Sequence, residues 1–220
     1  MTIYSLPQNL RTIIFDIDST LYTNAAYAHE QVDIQIRSFA KLRSISDSEA
    51  RKIVHDYRHS WSVSHNGEKI SLGNTLTAFG IPITQSIAWR NELLEPALFL
   101  NTDAKLYDEL QILKNTYNLI CVTNNPVLPA RKTLEALGVT SLIDHVIGLD
   151  TCGVSKPHEK PFLLAAEKTG EDPKNCLSVG DRYDIDISLP LTLGMGGILV
   201  SGVEEVYGLH TLFEKNLQKV

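Results

Sequence analysis

Several large protein classes are excluded by what this 220-residue chain lacks. It has no Lys/Arg cluster, and its 26 acidic residues outnumber 20 basic ones for a net charge of −6. Binding to a nucleic-acid backbone usually calls for a basic face, so no nucleic-acid partner is expected. No apolar run approaches the length of a membrane span, and Met1–Leu10 lacks the basic segment and long apolar run of a signal peptide. The expectation is a cytoplasmic protein without a membrane partner. Cysteine is scarce: Cys121, Cys152 and Cys176 are odd in number and form no CxxC pair, which argues against a disulfide framework or a zinc knuckle. Seven histidines show no metal-ligand spacing; His55 and His59 lie four apart, but no third ligand accompanies them. A P-loop, a Rossmann glycine fingerprint, solenoid repeats and low-complexity linkers are all missing. Monomer and homodimer are equally open.

What is present is a core-forming chain, 43% hydrophobic. Five short apolar runs read as buried strands: Thr12–Phe15, Leu119–Thr123, His145–Gly148, Cys176–Val179 and Gly197–Val200. Continuous apolar runs are what a parallel sheet covered on both faces requires. Helical patterns separate them. In Asp103–Tyr117, Leu106, Leu110 and Leu113 share a face, while Pro129–Leu137 and Pro161–Thr169 end at Gly138 and Gly170 as glycine-capped helices do. This alternation predicts an α/β fold, a doubly wound Rossmann-like parallel sheet. Asn24 to about Leu98 is the exception, reading as four amphipathic helices with no strand. The expected organisation is an α/β core from residues 1–22 and 99–220, with an all-helical cap insert at 23–98.

Ligands of open α/β sheets bind outside the carboxyl ends of the strands. Asp16, Ile17, Asp18, Ser19 and Thr20 follow the first run. Thr123, Asn124 and Asn125 follow the second, and Gly180, Asp181, Asp184 and Asp186 follow the fourth. Lys156 lies between the third run and the next helix. Crowded carboxylates repel unless a cation neutralises them, and Mg²⁺ is a hard ion that takes oxygen ligands. It would draw Asp16 and Asp181 together with a phosphate oxygen. Lys156 would add positive charge, and Thr123 and Asn124 would orient the phosphate as neutral donors. Asp16 is then placed to attack phosphorus, and Asp18 to protonate the leaving oxygen and deprotonate the hydrolytic water.

Asp16-Ile17-Asp18-Ser19-Thr20-Leu21 resembles the first motif of the haloacid dehalogenase superfamily. Thr123-Asn124 resembles its second motif, Lys156-Pro157 its third, and Gly180-Asp181 with Asp186 its fourth, all in the family's order. The helical segment stands where members with a helical cap carry it. The resemblance implies Asp16 as nucleophile and metal ligand, and Asp18 as general acid/base with its backbone carbonyl on the metal. It implies Thr123 and Asn124 as phosphate-binding residues, Lys156 as stabiliser of nucleophile and phosphate, and Asp181 and Asp186 as metal ligands. Asp184 is a second candidate for the assisting carboxylate, and spacing alone prefers Asp186. Two positions depart from the common pattern: Arg182 follows Asp181 where a small residue is frequent, and Ser19 stands where many members have glycine.

Asp18 separates the branches of the superfamily. A departing halide needs no proton, whereas a departing alkoxide does, so an acid two residues after the nucleophile favours phosphorus over carbon. The expected function is Mg-dependent hydrolysis of small phosphomonoesters through an aspartyl-phosphate, the partner being a small-molecule phosphate ester. Phosphosugars, phosphoglycolate-like acids and nucleoside monophosphates are the candidate substrates. The same residues would also serve a phosphomutase, or a member that binds phospholigands without turnover. Tyr22, Tyr27, Arg58, Trp61, His65 and Arg90 are candidates for reading the leaving group.

Overall fold

The computed structural model describes residues 1–217. Among them, a six-stranded sheet has the order β1-β6-β5-β2-β3-β4. Its strands are β1 (Thr2–Ser5), β2 (Thr12–Phe15), β3 (Asn118–Val122), β4 (His145–Ile147), β5 (Cys176–Gly180) and β6 (Gly196–Leu199). β2 pairs in parallel with β3 and β5, and β3 with β4 and β5 with β6 extend the parallel set. The sheet is mixed rather than wholly parallel, because β1 adds an antiparallel edge on β6. All four residues of β1 are exposed, so no buried apolar run marks it in the sequence. Every residue of β2 is buried, as befits a central strand covered on both faces.

The chain divides into two compact units, residues 1–24 with 96–217 and residues 25–95. In the first unit, α5 (Ala104–Lys114) buries Leu106, Leu110 and Leu113, and Asp103 caps it by accepting from the Leu106 N–H at 3.0 Å. α6 (Val127–Ala136) and α8 (Glu159–Thr169) lead into Gly138 and Gly170, whose φ of 77° and 70° place both in the left-handed region favoured by glycine. α8 lies on β2, β3 and β4, where Phe162 and Ala165 meet Ile14, Ile120, Val122 and Ile147. Short helices α7 (Leu149–Cys152) and α9 (Ser188–Thr192) and the terminal α10 (Leu209–Leu217) complete the unit.

The second unit is helical throughout: α1 (Ala25–Arg43), α2 (Asp47–Ser64), α3 (Leu72–Ala78) and α4 (Ile83–Leu93). It has a core of its own, in which Ile36, Phe39, Val54, Leu76, Ile81 and Trp89 meet. Each such side chain contributes roughly 1.5–3 kcal/mol by leaving water. Buried polar groups are matched: the Ser86 hydroxyl donates to Gln35 Oε1 at 2.6 Å, joining α4 to α1. Asp33 is 4% exposed and accepts from Arg51 Nε at 2.7 Å and Arg37 Nη1 at 2.5 Å.

The bond from Arg51 chiefly, then that from Arg37, lowers the Asp33 carboxyl to about 2 against the cost of its burial. Its folded value lies below its unfolded one, so the stabilisation is complete above about pH 4 and is lost as pH falls through about 2. Both arginines are partly exposed, so Asp33→Asn is expected to cost about 1–2 kcal/mol. In thermal denaturation at several pH values, the gap between wild type and variant should be constant from pH 7 to about 4 and shrink below that. A gap independent of pH down to about 2 would mean that the charge contributes nothing.

Candidate active site

Strand register fixes the site. Phe15 stands opposite Cys121 on β3 and Val179 on β5, so Asp16, Thr123 and Asp181 all emerge at the carboxyl ends of three adjacent strands. Asp16 N–H donates to the Val179 carbonyl at 2.8 Å, and Thr123 N–H to the Ile147 carbonyl at 3.0 Å, carrying sheet-like bonding past the strand ends. The chain then turns sharply: Leu21 N–H bonds the Ile17 carbonyl at 2.9 Å, and Ser19 takes φ 60°. That left-handed conformation accounts for glycine at the corresponding place in many proteins with this motif, since a side chain there costs about 1 kcal/mol.

Lys156 is 4% exposed, and its Nζ donates to Asp16 Oδ1 and to Asp186 Oδ1, each at 2.6 Å. Oxygen atoms of Asp16, Asp181 and Asp186 lie within 4.8 Å of one another. Asp186 is 2% exposed and firmly placed: its Oδ2 accepts from the Arg182 N–H at 3.1 Å, and its backbone carbonyl accepts from the Ser178 hydroxyl at 2.7 Å. A π-helical turn, Tyr183–Ile187, swings it inward, and Gly180 makes room, because a Cβ there would come within 2.4 Å of the Asp186 Cβ. Asp184 points elsewhere, to an exposed ion pair with Arg182 at 2.9 Å. Of the two acids, Asp186, the one spacing prefers, joins the cluster, and Asp184 does not.

Asp18 stands apart from that cluster. Its Oδ1 accepts from the Tyr22 hydroxyl at 2.6 Å, and its Oδ2 from Asn125 Nδ2 at 2.8 Å and Thr123 Oγ1 at 3.3 Å. Asn125 received no role from the sequence; Asn-Asn-Pro reads as an ordinary turn, and nothing in its composition marks Asn125 as the residue that orients Asp18. Asn124 bonds through both ends of its side chain to the Lys156 backbone, accepting from its N–H at 2.7 Å and donating to its carbonyl at 3.1 Å. It fixes the loop that delivers the lysine. Among the leaving-group candidates, Tyr22 reaches Asp18, Trp61 stacks on His65 with centroids 3.8 Å apart, and Tyr27 and Arg90 are buried.

The electrostatics follow from one ammonium among several carboxylates. Burial pushes the Asp16 carboxyl well above the usual range; Lys156 opposes this, and Asp186 and Asp18 add to it. Burial works against the Lys156 charge, but Asp16 and then Asp186 outweigh it and hold the lysine protonated. Asp181 is pushed up to about 6 by burial and the nearby Asp186. An all-oxygen donor set carrying excess negative charge fits a hard divalent cation such as Mg²⁺.

The haloacid dehalogenase-like hydrolase pattern matches residues 10–189. The chain belongs to that family of hydrolases. Among its relatives, the glyceraldehyde 3-phosphate phosphatase of Methanothermobacter thermautotrophicus is 26% identical over 200 residues, covering 87% of this chain and 86% of that protein. The phosphoglycolate phosphatase of Colwellia psychrerythraea is 26% identical over 188 residues, covering 79% and 77%. A haloacid dehalogenase-type phosphatase structure from Thermococcus onnurineus superposes with a TM-score of 0.63 at 22% identity, covering 87% of this chain and 86% of the other. This last likeness supports the shared Rossmann-like fold.

The raised Asp181 value has a consequence for this hydrolase in metal-free form. An acid whose folded value lies above its unfolded one destabilises the fold as pH rises from about 4 through 6. Above that window, Asp181→Asn should stabilise the metal-free protein by about 1–2 kcal/mol after solvent screening, or roughly 2–6 °C in Tm. The gain should vanish near pH 4. Thermal melts in a chelator at pH 4 and pH 8 check this; equal melting of variant and wild type at pH 8 would contradict it.

Proposed function

We propose that this hydrolase removes phosphate from small phosphoric monoesters, with Asp16 as nucleophile and Asp18 as general acid and base. The observation that carries the proposal is the buried Asp16–Lys156–Asp186 group at the carboxyl end of the central strand, with Asp18 held separately by Tyr22 and Asn125. Lys156 engages Asp16 Oδ1, so the same ammonium that fixes the nucleophile offsets the charge of an arriving phosphate. Asp16 attacks phosphorus, the bond to the leaving oxygen breaks, and Asp18 gives that oxygen a proton. A water then gives a proton to Asp18 and attacks phosphorus, and the Asp16–phosphorus linkage opens to release inorganic phosphate. Thr123 contributes a hydroxyl beside Asp18 for orienting the phosphoryl group.

Mg²⁺ is the cofactor this reading assigns: Asp16, Asp181 and Asp186 would hold it, with the backbone carbonyl of Asp18 as the family resemblance implies, and it would offset the repulsion between two anions. Residues 25–95 are assigned the part of a cap that selects substrate, supported by their insertion between the first motif and the rest of the chain. The phosphatase relatives favour short phosphorylated acids and aldehydes as the substrate class. Three free, buried cysteines suit a reducing compartment, so the cytoplasm is the proposed location. Among the described residues, no helix is long and apolar enough to cross a membrane.

Free-phosphate release from a panel of monoesters is the test. Asp16→Asn should lower kcat by at least about a thousandfold, and chelation should do the same to wild type. Asp18→Asn should cost about a hundredfold or more in phosphate release, while the first-turnover burst of aryl alcohol from an activated aryl ester, whose leaving group needs no proton, should fall far less. Full activity in Asp16→Asn would overturn the assignment.

A further inference from the structure

The helical unit holds a cavity of about 330 Å³ whose lining includes none of Asp16, Asp18, Thr123, Lys156, Asp181 and Asp186. It is built entirely from residues 36–70. One wall is a single face of α2, where Arg51, His55, Arg58, His59 and Ser62 recur at the three- and four-residue spacing that aligns side chains on a helix. Lys69 closes the rim, and Ile36, Val54 and Ile70 supply the apolar lining. No carboxylate lines it. In a chain of net charge −6, that is a local reversal of sign.

Two of these cations are free for a ligand. Arg51 is neutralised by Asp33 at 2.7 Å. Neither Arg58 nor Lys69 forms an ion pair among the described residues. Arg58 is nevertheless anchored, because its Nε donates to the Ile70 carbonyl at 3.2 Å, which leaves its two terminal amino groups for a bidentate partner. The His55 and His59 rings lie parallel, 5° apart in plane with centroids 6.4 Å apart. α2 itself buries only Ala50 and Val54 of its eighteen residues, so His55, Arg58 and His59 have not been spent on the core.

We propose that this concavity binds a small organic anion. Its phosphate or carboxylate pairs with Arg58 and Lys69, and its body lies on Ile70 between His55 and His59, over a floor formed by the core residues Ile36 and Val54. A bare inorganic ion would leave Ile70 and the histidine rings without a partner, and an uncharged molecule would leave two cations unmatched. None of its lining residues is among those assigned to the reaction at Asp16.

Citrate, adenosine 5′-monophosphate and inorganic pyrophosphate are the probes, titrated into metal-free full-length protein so that no ester turns over. The ring-proton NMR signals of His55 and His59, assigned from His→Gln variants, give a readout local to the cavity. The organic anions should shift both signals with Kd near or below about 1 mM and bind more tightly than pyrophosphate. The citrate and nucleotide arms tell a carboxylate head from a phosphate head. Arg58→Gln with Lys69→Gln should weaken binding at least about tenfold, and exposed Lys69→Gln alone, which leaves the Ile70 anchor intact, by a smaller factor. Histidine signals that stay still for all three probes, or undiminished binding in both variants, would overturn the proposal.

Discussion

The site depends on a single buried ammonium. Lys156 Nζ reaches two carboxylates that the sheet has taken out of water, and among the described residues it is their cationic partner in an ion pair. Removing one member of a buried ion pair leaves the other uncompensated, which costs about 3–5 kcal/mol. Much of the surrounding architecture serves that arrangement. Asn124 clamps the loop that carries Lys156, Ser178 anchors the backbone of Asp186, and Gly180 omits the Cβ that would push Asp186 away. Burial first, and then the neighbouring carboxylates, raise Asp16 and Asp181 above the usual carboxylate range, and three carboxylates with one lysine still carry excess negative charge. The same excess creates the demand for a divalent cation and for an anionic substrate that brings one close.

Much of this was legible in the sequence, for a definite reason. Buried parallel strands need uninterrupted apolar runs, so β2, β3, β5 and β6 stand out, while β4, read as buried, is an edge strand with His145 exposed; the residues that follow the parallel strands must lie at one edge. The antiparallel edge strand escapes because exposure on both faces removes the apolar signal. The choice between Asp184 and Asp186 needed three dimensions: both follow Asp181 closely, and only the π-helical turn sends one inward and leaves the other on the surface. Asn125 and the clamp made by Asn124 were hidden because turn-forming asparagines look alike in sequence whether or not their side chains reach across to another loop.

The helical unit obeys different constraints. Its own core and a buried carboxylate held by two arginines stabilise it locally. Beyond Arg51, α2 is therefore free to keep a polar, cationic face. Unspent cations beside apolar side chains are where recognition can evolve without disturbing the chemistry at the sheet edge.

The central claim is that the phosphoryl group passes through Asp16 on its way to water. The stereochemical course at phosphorus tests it most directly, using a phosphorothioate ester made chiral by sulfur and two oxygen isotopes and hydrolysed in water carrying the third, so that the thiophosphate released is itself chiral. Two successive in-line displacements, the first by Asp16 and the second by water, invert twice and give net retention. Net inversion would mean that water attacks the substrate directly and that Asp16 is not the nucleophile.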